Sequence, residues 1–386
     1  MKPGAILSLH ELEGRAARLL PRSLAEYVAG GAEDGLSVRA NREAFERLRF
    51  VPRVLQATGS RATDSALWGE PWRAPFGIAP MGAAALMARD ADCVLARAAA
   101  AEGIPFILSG SSLTPMERVI EAHPRAWFQL YPADAPDPNR VLLERAAAAG
   151  FGTLVVTVDV PVAGRREADL RNGYTSPLRL GPRMLLDFAA RPQWLVRHLL
   201  PTFANRGMPH FENYPEGRTP MISRTATRSH RRDGFDWIQL ALLRDRWPGR
   251  LVLKGVLAPQ DVQRAWAAGV DGVIVSNHGG RQLDGAISPV DVLPAMVPTA
   301  PDRVLMCDGG IRRGNDVLKA IGRGAQMTWV GRPLLQAAVV GGEACVRHAI
   351  GLLRDEMMRS MAMLGLTRPQ DAAQVLWQPP GPEKLA

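Results

Sequence analysis

Cysteine is scarce: this chain of 386 residues has three, Cys93, Cys307 and Cys345, far apart in sequence. Three scattered thiols cannot build a disulfide framework, and none has a partner at metal-ligand spacing. A reducing compartment and no metal site are expected. Long apolar runs are missing too; nothing approaches the roughly 18 consecutive residues a membrane-spanning helix needs. The opening MKPGAILSLHELEGRAARLL has no continuous apolar core ending in a small-residue cleavage site. No secretory leader is expected, and a cytoplasmic location is.

Acidic residues are sparse in one place. The net charge is +9, and residues 176–232 hold ten arginines against Asp187, Glu212 and Glu216, so +7 of it lies there. The rest of the chain is close to neutral, which argues against a diffuse nucleic-acid surface.

What the chain does have is a repeat. Short apolar runs occur at FGIAP (76–80), PFILS (105–109), WFQLY (127–131), TLVVTVD (153–159), LVLKG (251–255), GVIVSN (272–277), RVLMCDGG (303–310) and MTWVG (327–331). Between them lie segments such as RVLLERAAAAG and PQDVQRAWAAG, with helical periodicity and a terminal glycine suited to a C-cap. Eight strand–helix units predict an α/β fold, a parallel (β/α)8 TIM barrel. A doubly wound open sheet competes, but the repeats are even and lack a dinucleotide glycine fingerprint.

The expected organisation is one domain over 1–386, with an N-terminal helical extension (1–70) and the barrel in two parts (71–170 and 235–365). A basic apolar insertion (171–234) interrupts it, and a tail (366–386) follows. About ninety residues separate the fourth strand from the fifth, far more than an ordinary barrel connection. Within them, RMLLDFAARPQWLVRHLLPTF (183–203) interleaves Leu, Phe, Trp and Val with Arg and His. It reads equally as an amphipathic helix on an anionic membrane or as a lid packed on the barrel rim.

Barrel chemistry collects at the C-terminal ends of the strands. The first four end in Ala79, Pro80, Met81 and Gly82; in Ser109; in Gln129 and Tyr131; and in Thr157 and Asp159. The last four end in Lys254; in Ser276 and His278; in Asp308, Gly309, Gly310 and Arg312; and in Gly331 and Arg332. Two of these loops, DGGIRRG and VGRP, pair glycines with arginines after the seventh and eighth strands, where barrels hold phosphate. Lys254 in a crowded mouth would stabilise an anion. His278 is placed as a general base, Asp159 as the carboxylate that orients it, and Arg281 and Arg166 as carboxylate binders.

Together these residues resemble the FMN-dependent 2-hydroxy acid oxidases and dehydrogenases. The likeness runs from AEYVAGGAED through NREAFERLRFVPRVL, WFQLY, TVDVPVAGRREADLRN, LKGV, SNHGGRQLDG and DGGIRRGNDVLKA to VGRPLL, and SNHGGRQLDG is its most specific part. The resemblance implies FMN held by Ala79, Pro80, Met81, Gly82, Ser109, Gln129, Thr157, Lys254 and Ser276. The cofactor's phosphate would lie on the loops with Asp308, Gly309, Gly310, Arg312, Gly331 and Arg332. It implies that Tyr27, Tyr131, Arg166 and Arg281 contact the substrate. His278, supported by Asp159, would take either the α proton or the hydroxyl proton.

Departures bear on substrate and acceptor. Met81 stands where many relatives have threonine, and Gly82 where oxidases often have alanine. Ser111 falls about where glycolate oxidases place tryptophan, which implies a wider pocket. The expected activity is dehydrogenation of a lactate- or mandelate-like (S)-2-hydroxy acid, with electrons passed to a quinone or other acceptor. A peroxide-forming oxidase and a non-catalytic flavin-binding scaffold are the alternatives. The resemblance also implies a homo-oligomer, a tetramer, and peripheral attachment at the inner face of the cytoplasmic membrane.

Overall fold

A computed structural model describes residues 3–215, 217–223, 232–299 and 302–377. Arg224, Arg228, Arg231 and Glu216 of the basic insertion lie outside the described residues.

Three helices precede the barrel: α1 (Leu9–Leu19), α2 (Arg22–Ala29) and α3 (Leu36–Arg47). Ser8 caps α1 by accepting from the Glu11 backbone N–H, and Leu9, Leu12 and Ala16 bury one stripe of that helix. The stripe packs against the helix Arg332–Leu364. A short hairpin follows, β1 (Ser65–Leu67) and β2 (Glu70–Trp72), paired antiparallel.

Eight parallel strands then form the barrel: β3 (Phe76–Ile78), β4 (Ile107–Ser109), β5 (Trp127–Leu130), β6 (Thr153–Thr157), β9 (Arg250–Val256), β10 (Gly272–Val275), β11 (Val304–Asp308) and β12 (Met327–Val330). Their order is β3-β12-β11-β10-β9-β6-β5-β4, and a parallel bridge between Ile78 and Phe106 closes the ring. The eight apolar runs of the sequence are these eight strands.

Side chains alternate across each strand. Phe128, Leu130, Leu154, Val156, Val273, Val275, Leu305 and Cys307 pack in the outer cluster, where strands meet helices. Ile107, Trp127, Val155, Val252, Ile274, Met306, Met327 and Trp329 form a separate inner cluster. Leu67 and Trp72 of the hairpin belong to that inner cluster, so the hairpin seals the end where the strands begin. The opposite end carries the next inward position of each strand, which is polar in six of the eight: Ser109, Gln129, Thr157, Lys254, Ser276 and Asp308.

The described part of the insertion contains two short paired strands, β7 (His210–Phe211) and β8 (Thr219–Pro220), after a run of helices. The 183–203 stretch packs against α2 and the helix Ala84–Met87. Met184, Phe188 and Trp194 are buried, and the Trp194 indole N–H donates to the Met87 carbonyl at 3.0 Å. The Asp187 carboxylate accepts from the backbone N–H groups of Arg22 (2.8 Å) and Ser23 (2.9 Å), which caps α2. Leu185, Leu186, Val196 and Leu200 point outward, exposed.

Candidate active site

The polar end opens into a cavity of about 1030 Å³. Tyr27, Ala79, Pro80, Met81, Gly82, Tyr131, Thr157, Arg166, Lys254, His278 and Arg281 line it. So do Asp308, Gly309, Gly310, Arg312, Gly331 and Arg332. Ser109, Gln129, Asp159 and Ser276 sit one layer behind the wall, bonded to residues that line it. Thus residues more than 300 positions apart converge on one mouth.

His278 follows β10 in a left-handed conformation, φ +56°, and Gly279 (+64°) and Gly280 (+78°) continue it. A non-glycine residue there is strained, and such strain persists only where surrounding bonds over-determine it. The Ser276 hydroxyl oxygen accepts the His278 backbone N–H at 3.0 Å, and the Asn277 side-chain oxygen accepts the Gly280 N–H at 3.2 Å. The turn brings His278 Nδ1 to 2.9 Å from Asp159 Oδ1. Burial raises the Asp159 pKa, but the His278 charge and hydrogen bond, with Lys254 nearby, outweigh it and hold the carboxyl below its ordinary range. A permanent carboxylate on Nδ1 fixes the tautomer that leaves Nε2 as the acceptor. Asp159 comes this close because Gly255 (φ +104°) lies beneath it; a Cβ there would be 2.6 Å from the Asp159 Cβ.

Lys254 is buried and pairs with Asp308 at 2.9 Å. Burial lowers its pKa, but Asp308 and Asp159 more than compensate, and the ammonium stays charged. Lys254 Nζ also donates to Ser276 Oγ at 2.8 Å. Because that oxygen already accepts from His278, its two lone pairs are used and its proton is left to donate. Gln129 Oε1 accepts from Ser109 Oγ at 3.1 Å, while Gln129 Nε2 and Thr157 Oγ1 are buried without a protein partner. Buried polar atoms of this kind need partners. A row of such groups on the inward layer fits the polar edge of a flavin ring.

The last two strand ends fit its phosphate. Gly309 and Gly310 have φ of +94° and +81°, which turns backbone N–H groups into an anion-binding concavity. Burial, helped by the neighbouring Arg312 and Arg281, pushes the Arg332 pKa down to about 9, and burial with Arg42 lowers that of Arg312. Crowded cations with depressed pKa are relieved by an anion among them.

Arg281 Nη1 donates to the carbonyls of Tyr27 (2.8 Å) and Gly30 (2.7 Å), which fixes its guanidinium 5.0 Å from the Tyr27 ring. Arg166 is tied to Asp169 at 2.7 Å and lies 5.9 Å from the same ring. The Tyr131 and His278 rings stack with centroids 6.3 Å apart. Sequence reasoning missed Tyr174, which is buried and stacks on Tyr27 at 4.2 Å, and Arg232, whose guanidinium lies 4.7 Å from the Tyr131 ring. It also missed Asn41 and Asn277. No local pattern marks the first two; Asn41 had one, a polar residue within the buried stripe of α3.

A family model described as FMN-dependent dehydrogenase matches residues 16–378. The chain belongs to this family, and its cofactor is FMN. It is 38% identical to a putative L-lactate dehydrogenase of Mycobacterium tuberculosis over 94% of this chain and 87% of that protein. To the (S)-mandelate dehydrogenase of Pseudomonas putida it is 37% identical, over 90% of this chain and 87% of that one. Among solved structures, the monotopic membrane protein (S)-mandelate dehydrogenase superposes with a TM-score of 0.87 at 32% identity, covering 96% of this chain and 99% of that chain.

Proposed function

We propose that the protein oxidises a lactate- or mandelate-like (S)-2-hydroxy acid to the 2-oxo acid. The observation that carries this is the 2.9 Å His278–Asp159 pair in a mouth that also holds Arg281, Arg166, Tyr27 and Tyr131. Bound FMN supplies a two-electron sink. Arg281 and Arg166 hold the substrate carboxylate, and the two tyrosine hydroxyls orient it. His278 Nε2 accepts the proton that leaves the substrate, and the Asp159 carboxylate stabilises the resulting imidazolium. With FMN bound, the Lys254 ammonium would hold a fixed positive charge beside the ring.

Gly82 stands where the oxidases this chain resembles often have alanine, and on that resemblance we read a dehydrogenase rather than an oxidase. A Cβ at this position would press within 3.1 Å of Ser111 Cβ, so the wall is as thin as a backbone allows. Anaerobic mixing with (S)-lactate and (S)-mandelate is expected to bleach the flavin absorbance, and admitted air to restore it slowly. Fast recolouring with stoichiometric peroxide would mark an oxidase, and no bleaching by either acid would overturn the reading.

The electron acceptor is a quinone or similar oxidant, and the insertion places the protein on an anionic membrane surface. Exposed Leu185, Leu186, Val196 and Leu200 lie beside exposed Arg183 and Arg197, a pattern suited to interfacial binding. The likeness to a monotopic membrane protein supports it, and no helix among the described residues is long and apolar enough to cross a membrane. Changing Leu185 and Leu186 to Asp is expected to release the protein from vesicles of anionic lipid; unchanged sedimentation with them would remove the membrane role. A homotetramer, as the family resemblance implies, is the assembly we assign.

A further inference from the structure

The site rests on a contact between two asparagines 236 positions apart. Asn41, on α3, donates through Nδ2 to Asn277 Oδ1 at 2.9 Å, and Asn277 Nδ2 donates back to Asn41 Oδ1 at 2.8 Å. Both residues are buried. Asn277 Oδ1 also accepts the Gly280 N–H, and its second amide proton goes to the Ile287 carbonyl at 3.2 Å. All four hydrogen-bonding positions of the Asn277 amide are therefore used. The Gly280 N–H and the Ile287 carbonyl set which way this amide faces, and the two bonds to Asn41 hold it there. The left-handed turn 278–280 thus depends on a residue outside the barrel.

The same stretch of α3 reaches the phosphate loop. A Cβ on Gly310 would lie 2.3 Å from the Asn41 carbonyl oxygen, and one on Gly309 3.3 Å from Asn41 Nδ2. Arg42 donates to the Gly310 carbonyl and pairs with Asp316 at 2.8 Å, while Asp316 accepts the Arg312 and Arg313 backbone N–H groups at 2.8 and 3.0 Å. On its other side α3 is capped by Asp284 of the base loop, which accepts the Ser37 N–H at 2.8 Å.

We propose that Asn41 and Asn277 are a positioning pair that couples the phosphate loop to the loop carrying the base. Through this pair the N-terminal extension positions the base: it holds the His278 turn and registers it against the loop that seats the cofactor phosphate. Neither asparagine touches the reacting atoms. The inference rests on the function proposed above, and its test separates the two.

The experiment compares holoenzyme carrying Asn41→Ala or Asn41→Asp with the unaltered protein, from pH 5 to 9. Three quantities are read: the flavin bleaching rate at saturating (S)-lactate or (S)-mandelate, the half-saturating concentration, and the FMN dissociation constant of the apoprotein by fluorescence. A protonated carboxyl reproduces an amide's donor and acceptor; an ionised one sets oxygen against Asn277 Oδ1. Burial raises the pKa of such a carboxyl. The charged and titratable groups around it are the Arg42–Asp316 pair and Arg312, Asp284 at the start of α3, Asp308, which Lys254 neutralises, and the His278–Asp159 pair beyond Asn277.

Asn41→Ala is expected to slow bleaching roughly tenfold or more at every pH, from the amide left unpaired. Half-saturation should move little, and FMN should bind more weakly. Asn41→Asp should recover toward the unaltered rate as pH falls and lose it as pH rises. If both variants bleach within about twofold of the unaltered protein, or if Asn41→Asp is slowed equally at all pH, the pair does not position the base. Should Asn41→Ala fail to retain FMN, the pH recovery of Asn41→Asp decides alone. Failure of the unaltered protein to bleach would instead overturn the proposed function.

Discussion

The two ends of the barrel are made by the same strands, two residues apart on the same inward face. Below lie Ile107, Trp127, Val155, Val252, Ile274 and Met306; above lie Ser109, Gln129, Thr157, Lys254, Ser276 and Asp308. The lower layer is apolar, packs tryptophan on tryptophan (Trp127 and Trp329 at 4.8 Å) and is sealed by the hairpin. The upper layer buries an ammonium, two carboxylates and several polar atoms without partners. One end is built to stabilise the ring and the other to bind and react, and a single step of strand periodicity separates them. Stability and chemistry should therefore respond to different substitutions on the same strands.

The strongest break in that comparison is at the mouth. His278→Gln is expected to cut anaerobic bleaching by about 10²–10⁴-fold, the range of general-base catalysis, with the melting temperature unmoved; stopped-flow absorbance and calorimetry read the two. The floor should show the reverse. Trp127→Ala removes a buried side chain from the sealed layer and should cost about 3–5 kcal/mol in denaturant unfolding, while the folded fraction bleaches at the unaltered rate.

A smaller effect sharpens the contrast beside the mouth. Asp92 is fully buried and accepts from Thr114 Oγ1 at 3.0 Å beneath the loop that follows β4; burial pushes its pKa up to about 6. A carboxyl with a raised folded-state pKa destabilises the protein when ionised. The penalty is absent below the unfolded value near 3.8, grows as pH rises through about 6, and is complete above it. Asp92→Asn should thus stabilise the protein by up to about 3 kcal/mol at pH 8, with the gain vanishing near pH 4. A gain independent of pH would show that ionisation is not its cause.

Much of this was legible in the sequence because parallel strands buried on both faces read as short apolar runs, and barrel function collects where they end. His278, Asp159 and Lys254 were placed by that rule together with the family resemblance. The insertion was legible only as a composition: its buried face of Met184, Phe188 and Trp194 depends on what lies beneath it. Asn41 and Asn277 were illegible as a pair, since nothing local tells which buried amide another will meet. The hairpin that plugs the barrel was hidden for the same reason, its Leu67 and Trp72 meaning little without the ring they close.

The central claim is that this mouth removes a proton from a 2-hydroxy acid through His278. The measurement that tests it most directly is the pH dependence of anaerobic flavin bleaching by (S)-lactate or (S)-mandelate, in the unaltered protein and in His278→Gln. The account predicts rapid, pH-dependent bleaching by the unaltered protein, and in the variant a residual rate that is far slower and lacks that dependence. Equal bleaching by the two proteins with one shared pH profile would contradict it.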